Sequence, residues 1–176
     1  MEYRSHTIFT GLSLEVPKYI VRLDARKVHG WQLRYGKWKL FSDHSNDGTG
    51  AEAALLVATA ELARRIAKLP APTGLRNQSR SGKANDMPLG ISGPMALKRA
   101  GTSYTQYYLQ VSFPIHDGKP ANRSVYIATE NTLTPEKYQA ALTKAIALRE
   151  SGVRKFKLAT TKAKRERAGA SSLASD

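Results

Sequence analysis

The chain has 176 residues, with 28 Lys and Arg against 14 Asp and Glu, a formal net charge of +14. Apolar residues make up 41% of it, too many for a wholly disordered chain, and the absence of Cys excludes disulfides, thiolate zinc sites, iron–sulfur clusters and Cys nucleophiles. No apolar run approaches the ~20 residues that span a bilayer, and MEYRSHTIFTGLSLEVPKY has no secretory signal pattern, so the expectation is a soluble, cytoplasmic, nucleoid-associated protein without a membrane partner, whose charge points first to nucleic acid.

The first patterned stretch is YIVRLDARK (19–27). Period-two alternation predicts a strand with Tyr19, Val21, Leu23 and Ala25 facing the core and Arg22, Asp24 and Arg26 facing solvent. HGWQLRY (29–35) alternates again, with Trp31, Leu33 and Tyr35 inside and Gln32 and Arg34 outside. Gly36 allows a tight turn, and KWKLFSD (37–43) predicts a third strand with Trp38 and Leu40 opposite Lys37 and Lys39. After the polar loop HSNDGTG (44–50), AEAALLVATAELARRIAKL (51–69) predicts a helix. Its apolar stripe is Leu55, Ala58, Leu62, Ile66 and Leu69; Arg64, Arg65 and Lys68 suit its C-terminal dipole, and Pro70 stops it.

Residues 70–88 (PAPTGLRNQSRSGKANDMP) read as a linker, rich in Pro, Gly, Ser and Asn, with Arg76, Arg80 and Lys83 available to a phosphate backbone. A second unit then follows the same order. LGISGPMALKR (89–99) predicts an irregular strand with a bulge or turn at Gly93-Pro94. TQYYLQVSFP (105–114) places Tyr107, Leu109, Val111 and Phe113 against Gln106, Tyr108, Gln110 and Ser112. HDGK (116–119) is a hairpin loop with an Asp-Gly turn, and NRSVYIAT (122–129) sets Val125 and Ile127 opposite Ser124 and Tyr126. Thr134-Pro135-Glu136 starts a helix with an apolar stripe of Tyr138, Ala141, Leu142, Ala145 and Leu148, which Gly152 is expected to end.

The fold class is therefore α+β: two tandem units, residues 17–69 and 89–152, each a three-stranded antiparallel sheet packed on one helix, joined by the basic linker 70–88 and followed by a basic tail, 153–176. Within the tail, 154–167 (RKFKLATTKAKRER) holds seven basic residues and one Glu. Two readings of it stand. It is a phosphate-binding extension without sequence preference, or it continues the second helix past Gly152 and packs through Phe156 and Leu158.

A sheet covered on one side by a helix leaves a polar face free, and that face is the candidate binding surface. In the first unit it collects Arg22, Arg26, Gln32, Arg34, Lys37 and Lys39. In the second it collects Tyr108, Gln110, Ser112, Ser124 and Tyr126, with Lys98 and Arg99 from the first strand and Arg123 at one end. Arg bonds guanine, Gln bonds adenine and Lys neutralises phosphate. The bland alternative is an exposed sheet face that these residues merely solvate.

The stretch GWQLRYGKWKLFSDHSNDGTGAEAALLVATAELARRI (30–66) resembles the APETALA2-type DNA-binding domain in its bacterial and phage form. It shares a Gly-Trp start to the second strand, a short Gly-Lys hairpin, the strand end Phe41-Ser42, and a Gly-containing loop into an Ala-rich helix with Glu52-Ala53 near its start. The second unit is similar more loosely, in Gly90-Ile91, Tyr108, Val111, Arg123, Ile127 and the helix 135–150. The phage integrase arm-binding domain has the same strand order. The resemblance implies a sheet lying in the major groove of double-stranded DNA, and hence a transcription regulator or mobile-element accessory factor. The chain lacks the dense Arg/Trp run of the plant pattern on its first strand.

Catalysis is not expected. His44-Ser45-Asn46-Asp47 invites a metal-nuclease reading, but one loop with Asp43, His44 and Asp47 supplies no second segment of ligands. No catalytic set, metal site or cofactor fingerprint is found. An RNA-binding or ribosome-associated protein is the second functional reading, in which Tyr108 and Tyr126 stack on unpaired bases.

Overall fold

The computed structural model describes residues 1–25, 28–76, 87–98 and 100–173. Among them the fold is mixed α+β, with two α-helices and three antiparallel sheets. The elements run β1 Tyr3–Thr7, β2 Ser13–Pro17, β3 Ile20–Ala25, β4 Val28–Leu33, β5 Lys39–Ser42, α1 Ala51–Lys68, β6 Ile91–Lys98, β7 Thr105–Phe113, β8 Ala121–Thr129 and α2 Pro135–Leu173, with a 3-10 turn at Glu130–Thr132. They form two compact units: Met1–Pro72 with Thr160–Asp176, and Thr73–Ala159.

In the first unit β3, β4 and β5 form one sheet, in that order. Register places Ile20 opposite Leu33, Arg22 opposite Trp31, and Trp31 opposite Phe41. These residues share one side of the sheet, because directly paired residues lie on the same face. Against that side pack Leu55, Ala58, Leu62 and Ile66 of α1, and Ile8 and Val16 from the β1–β2 hairpin. Each fully buried Leu or Ile is worth about 1.5–3 kcal/mol of transfer free energy. Trp31 is fully buried, and its indole nitrogen donates to the carbonyl of Ala51 at 2.7 Å, tying the middle strand to the first residue of α1. Gly50 permits that approach: a Cβ there would lie 1.8 Å from the carbonyl oxygen of Asp43.

The expected facing of β3 is off by one residue. Ile20 and Arg22 point to the core side, while Leu23 and Val28 are exposed. The frame of β5 is reversed in the same way: Phe41 packs on the core and Trp38 is 66% exposed. The β1–β2 hairpin had no counterpart in the sequence reading, whose first unit began at residue 17.

In the second unit β6, β7 and β8 form the sheet. Here the expected alternation matches: Leu109, Val111 and Ile127 are buried, and Tyr138, Ala141, Leu142, Ala145 and Leu148 of α2 pack with them. The register of β6 against β7 shifts between Ser92 and Met95, at the expected Gly93-Pro94 irregularity. Helix α2 starts at Pro135 as expected, with the Thr134 hydroxyl accepting from the Lys137 amide at 3.4 Å.

Gly152 does not end that helix, which continues to Leu173. The glycine serves packing. A Cβ at 152 would lie 2.7 Å from the ring of Phe113 on β7, so only glycine lets the helix pass so close to the sheet. The segment expected to be a basic tail is therefore helical, and its part from Thr160 onward belongs to the first unit.

Candidate nucleic-acid interface

The side of the first sheet away from α1 carries Val21, Gln32 and Leu40 in one cross-strand row, and Leu23, Gly30 and Ser42 in the next. Arg34 continues the alternation of Gln32 just beyond β4, its amide donating to the carbonyl of Tyr19 at 2.7 Å. The Arg34 Nε donates to Gln32 Oε1 at 2.7 Å. That bond fixes the two side chains relative to one another and leaves both terminal nitrogens of the guanidinium for other acceptors. The exposed Trp38 stands in the β4–β5 turn segment, and Lys37 beside it is exposed.

Arg22 is not part of this face. Its side chain is 2% exposed and is gripped bidentately by the fully buried carboxylate of Asp43, with contacts of 2.9 and 2.5 Å. Its Nε donates to Asp24 at 3.0 Å, and its guanidinium lies 5.0 Å above the Trp31 ring. His29 Nδ1 sits 2.9 Å from Asp24, which completes a four-residue polar network on the core side. Burial works against the Arg22 charge, but the hydrogen bonds it donates to Asp43 and Asp24 outweigh it and raise its pKa. A guanidinium buried on the core side, with Nε and both terminal nitrogens bonded to carboxylates, is out of reach of DNA. Each of the two opposite charges stands two residues from a core position, Arg22 from Ile20 and Asp43 from Phe41, and their pairing leaves no local pattern in the sequence.

Lys39 shares the register side of Leu33, not that of Gln32, and its ammonium lies 4.9 Å over Phe41. Arg26 and Arg99 lie outside the described residues, as do Arg80 and Lys83 of the linker. Arg76 is exposed.

On the second sheet the uncovered side carries Met95, Tyr108 and Tyr126 in one row, and Ser92, Gln110 and Ser124 in another. Ser112 pairs with Asn122 further along. Tyr108 and Tyr126 meet edge to face with ring centroids 5.5 Å apart, and the Tyr108 hydroxyl donates to Gln106. Two residues assigned to this face lie elsewhere. Arg123 pairs with the buried Val111, so it stands on the helix side of the edge strand. Lys98 pairs with Thr105, one position out of phase with Leu97 and Gln106. Both are exposed at the sheet margin. The facing error here differs from that on β3: a long cation at a strand end or edge reaches solvent from either side of a sheet.

The basic C-terminal stretch divides. Arg154, Lys155, Lys157 and Lys162 are exposed on α2. Lys164 lies 4.9 Å over the Tyr19 ring, where burial pushes its ammonium pKa down. Thr161 accepts from the Ala71 amide at 3.0 Å, and Ala168 packs on the core of the first unit.

The loop that invites a nuclease reading is internally engaged. The His44 amide donates to Ser42 Oγ at 3.1 Å, both the amide and the hydroxyl of Thr49 donate to Asp47 Oδ1, and Asp43 holds Arg22. Among the described residues no group of three or more His, Asp or Glu is placed to hold a metal ion. No helix among them is long and apolar enough to cross a membrane. Comparison of the chain with protein-family models, with curated proteins and with solved structures gives no match.

Proposed function

We propose that the chain binds double-stranded DNA, and that its two three-stranded sheets with their helices are tandem units of one kind, each laying its uncovered face in the major groove. The observation that carries the reading is the Gln32–Arg34 pair, hydrogen-bonded at 2.7 Å at the end of the middle strand of an uncovered sheet face. Three strands spaced about 4.8 Å apart are about 10 Å across, which suits a major groove about 12 Å wide. The face supplies an amide and a guanidinium for base edges, and the exposed Lys37 lies in the adjoining β4–β5 turn as a cation for phosphate. Such a division, with bases read by the face and phosphates held at the rim, is the usual one in protein–DNA complexes. A chain that reads duplex sequence in this way acts as a transcription regulator or an accessory factor of a mobile element. The resemblance to APETALA2-type domains supports the same arrangement.

The test is a binding selection with random duplex DNA, with single-stranded and duplex RNA as competitors. A preferred duplex sequence is expected, and Arg34→Ala costs about 1–3 kcal/mol on it while relaxing preference at one position. An equal loss on every sequence would make Arg34 a phosphate contact. A second reading, an RNA-binding or ribosome-associated protein, draws on the half-exposed Tyr126 as a stacking platform. It wins if single-stranded RNA displaces every duplex and Tyr126→Ala abolishes the displacement.

A further inference from the structure

We infer that the uncovered face of the second sheet recognises A·T base pairs, through thymine methyl groups and adenine edges. The inference rests on the duplex-DNA reading above and assigns that reading a base preference. In a chain of net charge +14, this face carries no charged side chain among its described residues. What it carries is of two kinds. Met95, Leu97 and Tyr126 are large, apolar or aromatic, and 51%, 47% and 50% exposed. Gln106, Gln110, Ser112, Asn122 and Ser124 are neutral hydrogen-bonding groups.

The chemistry of base edges sorts these groups. Guanine is read by Arg or Lys and the cytosine amino group by Asp or Glu, and this face has none of them. Thymine offers a methyl group, for which an apolar side chain is the matching contact, and adenine offers an acceptor and a donor that match one Gln amide. Gln106 is held by the Tyr108 hydroxyl, so Gln110 is the amide assigned to adenine. Two neighbouring rows separate these groups: Met95–Tyr108–Tyr126 is apolar and aromatic, and Ser92–Gln110–Ser124 is polar. Rows two residues apart are about 6.6–6.8 Å apart, close to two base-pair rises of about 3.4 Å, so adjacent rows address alternate base pairs when the strands follow the groove. Exposed apolar groups clustered on one face mark a surface that contacts something other than water.

The experiment compares the full chain on its selected duplex with the same duplex in which every thymine is replaced by uracil, which removes the methyl groups and keeps the pairing. Binding is expected to weaken about fourfold for each methyl contacted. A Met95→Ser/Leu97→Ser/Tyr126→Ser variant changes exposed side chains and should melt as the parent does, yet lose that sensitivity. Gln110→Ala should relax preference at one adenine without altering the uracil effect. Tight, sequence-specific duplex binding that ignores uracil, a selected site without A·T pairs, or full uracil sensitivity in the triple variant overturns the inference and leaves the DNA reading standing. Failure to prefer any duplex over RNA overturns the DNA reading itself.

Discussion

The two three-stranded sheets hide different things behind them. Under the second lies hydrocarbon: Ile91, Leu109, Val111 and Ile127 against Ala141 and Ala145. Under the first lies Trp31, with a guanidinium above it, two carboxylates and a histidine. The difference shows when alternation can be read from sequence. Where the inner face is apolar, inside and outside separate by residue type. Where an inner position is charged and paired, the same rule assigns the strand to the wrong side.

The largest expected effect sharpens that contrast. Asp43→Ala leaves Arg22 buried with its bidentate partner gone and should cost the first unit about 3–5 kcal/mol in urea or thermal unfolding. Replacing both partners, Arg22→Met with Asp43→Leu, should recover most of that loss, because the desolvation penalty leaves with the charges. In the second unit Leu109→Ala should cost about 2–5 kcal/mol by cavity formation, and no second change restores it so simply. If the paired replacement is as damaging as Asp43→Ala, the network shapes the core in a way that hydrocarbon cannot replace.

Next in size is Gly152→Ala. Helix propensity alone favours alanine by about 1 kcal/mol. The new methyl would meet the Phe113 ring and its Cβ, 2.7–2.9 Å away, and overpacking of this kind costs about 1–3 kcal/mol. A lower melting temperature is expected, with recovery when Phe113→Leu opens the space. A rise instead would mean that the glycine is a failed stop signal and not a packing site.

These cases mark what the sequence could disclose. The strands of the second sheet, the helix starts at Ala51 and Pro135 and the stripe of α1 follow from period and capping, all local properties. Arg22 was misplaced because its partner Asp43 is 21 residues away and pairing across that distance leaves no periodic trace. The β1–β2 hairpin was missed because YRSHT and SLEVP are short and mostly exposed, with few apolar positions to alternate. Gly152 was read by its commonest role at a helix end, whereas its contact with Phe113 is tertiary. Of the candidate binding residues, Gln32, Arg34, Tyr108, Gln110, Ser112 and Tyr126 lie on uncovered faces, since they follow the frames of β4, β7 and β8 that alternation reads correctly.

The smallest effect in energy separates the two units by pH. Burial pushes the Asp24 carboxyl up, but hydrogen bonds from Arg22 and His29 outweigh it and hold its pKa below the usual carboxylate range. Hydrogen bonds from Arg64 and Arg65 pull Glu61 down to about 2. A carboxyl whose folded pKa lies below its unfolded value of about 4 stabilises fully above that value, and the contribution is lost as pH falls through the folded pKa. The first unit should therefore weaken between about pH 4 and pH 2. In the second unit the carboxyl held down by the Thr134 hydroxyl is Glu136, exposed at the start of α2 and remote from the hydrocarbon core. Both tryptophans lie in the first unit, and only Trp31 is buried, so Trp31 emission in a Trp38→Phe background reports that unit alone. Acid titration should red-shift this emission before the Leu109 and Val111 methyl resonances lose dispersion. Asp24→Asn should flatten the pH dependence of the first unit, leaving a lower but more level stability. Simultaneous loss of both signals, unchanged by Asp24→Asn, would show that helix α2, whose residues are shared between the units, couples them more strongly than the polar network distinguishes them.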